Sequence, residues 1–144
     1  MIRLKYIIIN IVGTLLGGFP LPCKTGLIKI GNPDGQSPIF VTCNFCITVS
    51  RVKRVLEKNA IDCYLLVVNS RRINVWCSAA GGHLTVHDIA SAVKVSGIGK
   101  LVSHRNLILP QLAAVGIEAE SIRKMVGWNI IWGACLCSLD SGFY

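Results

Sequence analysis

Acidic and aromatic residues are both scarce in this sequence. Seven Asp and Glu stand against fifteen Lys and Arg, which gives a formal net charge of +8. The basic residues are scattered along the chain, and Arg71 and Arg72 lie in a predicted turn. This excess of positive charge suits an acidic partner, a phosphate-bearing ligand or a nucleic acid, and by itself does not choose among them. Aromatic residues make up 7% of the chain, and no stretch alternates them with basic residues as a base-stacking surface does. We therefore expect no nucleic-acid binding.

The motifs of several common enzyme classes are also missing. The sequence contains no phosphate-binding loop of the form G-x-x-x-x-G-K-S/T and no dinucleotide-binding G-x-G-x-x-G. Cys77, His104 and Asp88 have the residue types of a catalytic triad, but no nucleophile-elbow pattern G-x-S-x-G accompanies them. The sequence therefore favours neither a nucleotide-hydrolysing enzyme nor a triad hydrolase.

The apolar run near the N-terminus falls short of a membrane span. Residues 6–16 follow Arg3 and Lys5, but the run is shorter than the roughly 20 residues that a membrane helix needs. No A-x-A-like cleavage site follows it. We interpret residues 1–22 as an apolar N-terminal arm, with a signal-like segment and a lead-in strand as alternatives. Membrane association is expected only through segments outside this sequence.

Metal-binding patterns of the zinc type are weak. The seven cysteines occupy positions 23, 43, 46, 63, 77, 135 and 137. Several lie in apolar runs typical of core strands, so we expect reduced thiols and a cytoplasmic chain. Cys43 and Cys46 form one C-x-x-C pair without a second pair at zinc-ribbon spacing, and packing is the preferred explanation. His83 and His87 are four residues apart, but the capping residue Thr85 lies between them, so we do not expect them to chelate.

Strand and helix patterns alternate along the chain. Residues 39–43 are rich in β-branched and aromatic side chains, and residues 63–68 are continuously apolar, as in a strand covered on both faces. Apolar residues recur at helical spacing over residues 45–56, and further strands are predicted at 107–109 and 128–132. This alternation predicts an α/β fold: a Rossmann-like, mostly parallel sheet with helices on both faces.

Two of the predicted helices have recognisable ends. Thr85 and Asp88 have the spacing of a capping box, and Gly97 ends that helix. The next helix, over residues 118–124, has acidic residues at its start and basic residues at its end, which matches the helix dipole. Gly127 is expected to close it.

Parallel sheets bind ligands at the carboxyl ends of their strands, which here are residues 42–44, 74–82 and 109–111. The second segment places one thiol and one indole beside five consecutive residues no larger than serine, and residues 73–76 form either a short strand or the start of a helix. Small side chains leave bare backbone for a large planar ligand, and Cys77 can act as a soft ligand to a metal at its centre. The alternative is a tight turn around a buried structural thiol.

Several segments together resemble a known family. Asn-Val-Trp-Cys at residues 74–77 is similar to the cap-helix motif of the mercury-methylating corrinoid protein. Residues 102–112 match a stretch which that protein shares with the large subunit of the corrinoid iron–sulfur protein. Further similar stretches are residues 31–33, 37–45, 62–68, 82–85 and 96–98. Over about residues 26–133, the chain resembles the corrinoid-binding domain of these two proteins, the second of which belongs to the acetyl-CoA decarbonylase/synthase family.

The resemblance implies a Rossmann-like domain that holds a corrinoid (cobalamin-type, containing cobalt) without the cofactor's own base on the metal. The implied function is a methyl-carrier module for methyl transfer via methyl-cobalt, one component of a corrinoid-dependent methyltransferase system and incomplete alone. Cys77 would be the lower axial ligand of cobalt or its close neighbour. The other implied corrinoid-binding residues are Thr42, Asn44, Val75, Trp76, Ser78, Ala79, Gly82, Leu84, Thr85, Ser103, His104, Leu109 and Gln111. The implied partners are a ferredoxin-like reductase or iron–sulfur protein and a methyltransferase that supplies the methyl group.

The sequence also departs from this family. The lysine of the mercury-methylating motif is absent from residues 78–82, so we do not expect mercury as the methyl acceptor. The sequence carries no iron–sulfur cysteine cluster, and after a corrinoid-binding domain at residues 23–133 it ends in a divergent tail, residues 134–144. A truncated or decayed copy would have these features. Two alternatives therefore stay open: a non-catalytic or decayed α/β domain, and a basic interaction module for an acidic partner.

Overall fold

The chain folds around a mostly parallel sheet in which one edge strand runs antiparallel to its neighbour. The computed structural model describes residue 8 and residues 23–133, and within them the strands form one five-stranded sheet. The strands are β1 (Gly26–Ile30), β2 (Ile39–Cys43), β3 (Cys63–Val68), β4 (Asn106–Pro110) and β5 (Asn129–Gly133). Their order is β1-β3-β2-β4-β5, and only β1 runs antiparallel to its neighbour. The predicted mostly parallel, Rossmann-like sheet is confirmed.

Helices cover both faces of this sheet. They are α1 (Cys46–Lys58), α2 (Val75–Ala80), α3 (Val86–Ser96) and α4 (Ala119–Val126), with short 3₁₀ turns at Ile98–Lys100 and Gln111–Val115. Alternate side chains of β3 point to opposite faces, so Leu65 packs in a cluster with α1 and Leu66 packs in the cluster with α3 and α4. All six residues of β3 are buried, which explains its continuous apolar run.

The helix ends follow the predicted local signals. Thr85 Oγ1 accepts from the Asp88 backbone N–H at 3.2 Å, and the Asp88 carboxylate accepts from the Thr85 N–H at 2.8 Å, so the capping box is present. Gly97 ends α3 and Gly127 ends α4, each in the left-handed conformation that glycine adopts without a steric penalty. Since α3 begins at Val86, His83 and His87 do not share a helical face, as predicted.

The start of α2 settles the alternatives for residues 73–76. The Asn74 side chain accepts from the Cys77 backbone N–H at 2.9 Å, and the helix begins at the next residue, Val75. An Asn cap of this kind satisfies one of the backbone donors that a helix leaves free at its first turn. The segment is therefore the start of a helix, not a strand.

Strand β1 and one disulfide were not predicted. Cys23 and Cys46 are joined by a disulfide with a Cα–Cα distance of 5.0 Å, so the expectation that all thiols are reduced was wrong for this pair. The Cys23 N–H donates to the Asn44 carbonyl at 3.3 Å, which brings the chain before β1 to the end of β2, where α1 begins. Cys43, Cys63 and Cys77 are free.

Other predictions fall outside the described part of the chain. These are the N-terminal arm apart from Ile8, and the tail with Cys135 and Cys137. Among the residues that the structure does describe, no helix is both long enough and apolar enough to cross a membrane.

Candidate ligand edge

The carboxyl ends of β2, β3 and β4 lie along one edge of the sheet, because these strands are parallel. We call this the carboxyl edge. Helix α2 follows β3 there and packs on the 3₁₀ turn Gln111–Val115 that follows β4. The contact is close: a Cβ on Gly116 would overlap the carbonyl of Ala79. A glycine at position 116 therefore lets the backbone of α2 pack directly against the backbone that follows the 3₁₀ turn.

Helix α2 divides its residues between the core and solvent. Val75, Ser78 and Ala79 are buried, and the Ser78 hydroxyl donates to the Val75 carbonyl at 3.1 Å. Cys77 is a free, exposed thiol, and the neighbouring Trp76 side chain is 53% exposed. The alternative of a buried structural thiol at this position was therefore wrong.

The small residues after Cys77 have two different roles. Ser78 and Ala79 serve packing, whereas Ala80, Gly81 and Gly82 are exposed. A Cβ on Gly81 would approach the Cys77 carbonyl oxygen to 2.9 Å, so this position favours glycine. Bare backbone thus reaches the surface at Gly81 and Gly82, after the two buried residues that follow the exposed thiol.

Asn44 holds the loop that leads into α2. Its side-chain oxygen accepts from the Ser70 N–H at 3.0 Å, the Ser70 hydroxyl at 3.0 Å and the Arg72 N–H at 3.1 Å. Both Asn44 and Ser70 are buried. These bonds give Asn44 a positioning role at the end of β2.

Thr42 lies on the opposite face of the sheet from α3. Val41 and Cys43 pack in the α3 cluster, so the two-residue period of a strand directs Thr42 toward α1. Its hydroxyl is buried and has no hydrogen-bond partner among the described residues. An unpartnered buried hydroxyl is costly, but nothing in its position directs it to the open edge.

The loop between α2 and α3 lines a cavity next to the carboxyl edge. A cavity of about 550 Å³ lies between this loop and α4. It is lined by Gly82, Leu84, Thr85, Val86, His87, Gly116, Ser121, Lys124 and Met125. Three of the predicted binding residues, Gly82, Leu84 and Thr85, thus share one cavity. The Thr85 hydroxyl is engaged in the cap of α3, where it donates to the Asp88 carboxylate at 2.6 Å.

Ser103 and His104 lie at the other end of the sheet. They precede β4, and His104 Nε2 lies 2.9 Å from the Ser37 carbonyl oxygen in the loop before β2. The Ser103 hydroxyl donates to the Gly35 carbonyl at 3.0 Å. The structure therefore does not bring these two predicted residues together with Cys77.

The remaining predicted residues divide between core and edge. Leu109 is 1% exposed and belongs to the hydrophobic core below the edge. Gln111 is exposed at the carboxyl end of β4, as predicted from its position.

Sequence reasoning placed Arg71 and Arg72 in a turn but not in the site. Both have positive φ angles, 56° and 67°, and both are exposed between β3 and α2. Arg71 Nη1 lies 3.3 Å from His83 Nδ1, which links this turn to the loop after α2. Their position directly after a buried parallel strand is the sequence signal that could have placed them at the carboxyl edge.

Comparison with known protein families shows to which family the chain belongs. Residues 18–138 match the family described as CO dehydrogenase/acetyl-CoA synthase delta subunit. The chain belongs to this family. The resemblance seen in the sequence is thereby confirmed at the level of the acetyl-CoA decarbonylase/synthase group.

Several relatives of the chain are named as subunit gamma of the acetyl-CoA decarbonylase/synthase complex. The protein of Methanopyrus kandleri is 35% identical over 114 residues, which cover 79% of this chain and 24% of the relative. That of Methanocaldococcus jannaschii is 37% identical over 114 residues, covering 79% and 23%. That of Archaeoglobus fulgidus is 33% identical over 123 residues, covering 85% and 25%. The chain thus spans about a quarter of the length of these relatives.

Proposed function

We propose that this chain is a corrinoid-binding methyl-carrier module that works in methyl transfer within an acetyl-CoA decarbonylase/synthase-type system. The observation that carries the proposal is the exposed Cys77 thiol on α2 at the carboxyl edge, in a chain of this family. The relatives are subunits of a complex, which supports a role as a component of a larger assembly.

The residues around Cys77 fit a flat, metal-centred ligand. A thiolate is a soft ligand that binds a transition metal, and a macrocycle provides the equatorial ligands that a single thiol lacks. Trp76 presents an exposed indole beside the thiol, and Ala80, Gly81 and Gly82 add exposed small residues and bare backbone. A planar ring can approach such a surface more closely than one covered by large side chains.

Cys77 is the proposed lower axial ligand of cobalt. When bound, the corrinoid supplies a cobalt centre that accepts a methyl group and passes it on. The chain's own residues hold and orient it: Val75 anchors α2 in the core, and Asn44 fixes the loop before it. Gly82 and Leu84 line the adjoining cavity. Ser103 and His104 are left out of this proposed site, since they lie at the opposite edge of the sheet.

We infer the partners from the family resemblance, and the relatives' greater length supports a role within a larger assembly. About three quarters of each relative's length lies outside the match. We propose that a reductase of the ferredoxin or iron–sulfur type and a methyltransferase that donates the methyl group complete the system.

Reconstitution with hydroxocobalamin tests the proposal. The purified chain is mixed with hydroxocobalamin and freed from excess by gel filtration, and its visible spectrum is then recorded. We expect retained corrinoid, and we expect Cys77→Ala to retain corrinoid with a changed spectrum, because the sulfur ligand is lost. Ser91→Ala serves as the control. It removes an exposed hydroxyl group on α3 and should keep the wild-type spectrum.

Two outcomes would contradict parts of this proposal. A folded chain that retains no corrinoid would overturn it and leave the decayed α/β domain as the explanation. Retention with identical spectra for the wild type and Cys77→Ala would remove the axial-ligand role and leave binding intact.

A further inference from the structure

We propose that the turn at residues 71–72 binds the phosphate group that joins a corrinoid to its nucleotide tail. This inference rests on the proposed function and adds a second contact to the edge that carries Cys77. The turn connects the end of β3 to Asn74, the cap of α2, so both arginines lie at the carboxyl edge, where both are exposed.

The turn has an unusual and well-supported backbone. Arg71 and Arg72 both adopt left-handed φ angles, which residues with a side chain rarely do, and here they are consecutive. Asn44, itself buried, accepts from the Arg72 N–H and from the Ser70 N–H and so holds the turn in place. Strained backbone of this kind persists where the surrounding structure determines it, and it is found preferentially at ligand-binding positions.

Within residues 23–133, neither arginine has a carboxylate partner. Both are exposed, and the ion pairs among the described residues do not involve them. Arg71 donates toward His83 Nδ1 at 3.3 Å, which adds an imidazole from the far side of α2 to the same cluster. Guanidinium groups bind phosphate oxygens through paired, charge-assisted hydrogen bonds.

The turn and Cys77 lie at the same edge of the sheet, because the turn leads directly to the cap of the helix that carries Cys77. A complete corrinoid carries one phosphodiester beside its macrocycle, so one ligand would use both features. Free phosphate would offer the same oxygens, and the experiment must therefore distinguish the two sources.

Cobinamide and cobinamide phosphate test the inference, because they share the macrocycle and differ in the phosphate. Their dissociation constants are measured by quenching of tryptophan fluorescence. We expect the wild type to bind cobinamide phosphate about tenfold more tightly than cobinamide. Cobinamide lacks the phosphate and therefore cannot form the charge-assisted hydrogen bonds with the two arginines. The variant Arg71→Asn/Arg72→Gly should bind both equally and keep the wild-type affinity for cobinamide.

The variant is chosen so that it folds. Asn and Gly tolerate left-handed backbone better than arginine, and circular dichroism and thermal unfolding verify the fold. Arg51→Gln, on the exposed face of α1, removes one positive charge away from the turn and should keep the preference.

The outcomes separate this inference from the proposed function. Equal wild-type affinity for the two ligands would overturn the phosphate site and leave corrinoid binding intact. A preference that survives in Arg71→Asn/Arg72→Gly would overturn the assignment to these residues. If the wild type instead binds inorganic phosphate in calorimetry and shows no preference between the ligands, the turn holds a free anion and the tail assignment is wrong. Absence of binding to either corrinoid would overturn both proposals.

Discussion

Two free thiols of this chain differ in chemistry because of where they lie. Cys63 is buried at the start of the central strand β3, and burial raises the pKa of its thiol to about 11, with the nearby negative charge of Asp62 as a smaller cause. Cys77 lies exposed in the first turn of α2. A metal-centred ligand that arrives from solvent can therefore reach Cys77 but not Cys63.

The raised pKa of Cys63 predicts a loss of stability at alkaline pH. The folded chain holds this proton up to pH about 11, whereas the unfolded chain releases it near its ordinary value of 9.0. The thiol's contribution to the free energy of unfolding is therefore fully present below pH 9.0 and is lost as the pH rises toward 11. In urea unfolding across this window, Cys63→Ala should show a shallower decline than the wild type.

Val67→Ala is the matched control for this measurement. It shortens another buried side chain of β3 without removing an ionisable group, so it should lower stability at every pH and keep the wild-type slope. Equal slopes for Cys63→Ala and the wild type would show that this thiol does not titrate differently on folding.

At the level of elements, the position of α2 depends on one glycine outside it. A Cβ on Gly116 would overlap the Ala79 carbonyl, and backbone atoms on both sides leave little room to adjust. We expect Gly116→Ala to displace α2 and to destabilise the protein by about 1–3 kcal/mol, the range for overpacked sites. Because α2 carries Cys77, the variant should also bind hydroxocobalamin less tightly.

Gly35→Ala separates this effect from the general consequence of adding a methyl group. A Cβ at Gly35 would lie 3.8 Å from the nearest atom, the Leu101 carbonyl oxygen, which is ordinary contact. Chemical unfolding and corrinoid titration are measured on both variants. If Gly116→Ala matched Gly35→Ala in both measurements, the close contact would not determine the position of α2.

The elements that could be predicted are those whose signals are local. The cap formed by Thr85 and Asp88, the ends at Gly97 and Gly127, and the continuous apolar run of β3 each depend on a few neighbouring residues. Strand β1 is half-buried at a sheet edge and pairs antiparallel with a distant strand, so its short sequence has no comparable signal. The turn at residues 71–72 was predicted as a turn, but its left-handed backbone depends on Asn44, which lies far away in the sequence.

At the scale of the whole molecule, topology decides which predicted residues can meet. The segments containing Asn44, Cys77 and Gln111 follow β2, β3 and β4, and parallel strands bring them to the same edge. Ser103 and His104 precede β4, so the same topology places them at the far edge. A resemblance between sequences marks residues that belong to one family pattern, but it does not specify the end of the sheet at which each one lies.

The Cys23–Cys46 disulfide links the segment before β1 to the start of α1, and its contribution to stability can be predicted from the loop that it closes. The sequence separation is 23 residues, for which loss of chain entropy in the unfolded state corresponds to about 3 kcal/mol. Dithiothreitol should lower the free energy of unfolding of the wild type by this order in urea titrations. Cys46→Ser should be less stable by a similar amount and insensitive to dithiothreitol, whereas Cys77→Ala, which changes an exposed free thiol, should respond as the wild type does. Unchanged wild-type stability in dithiothreitol would mean that the link does not constrain the unfolded chain.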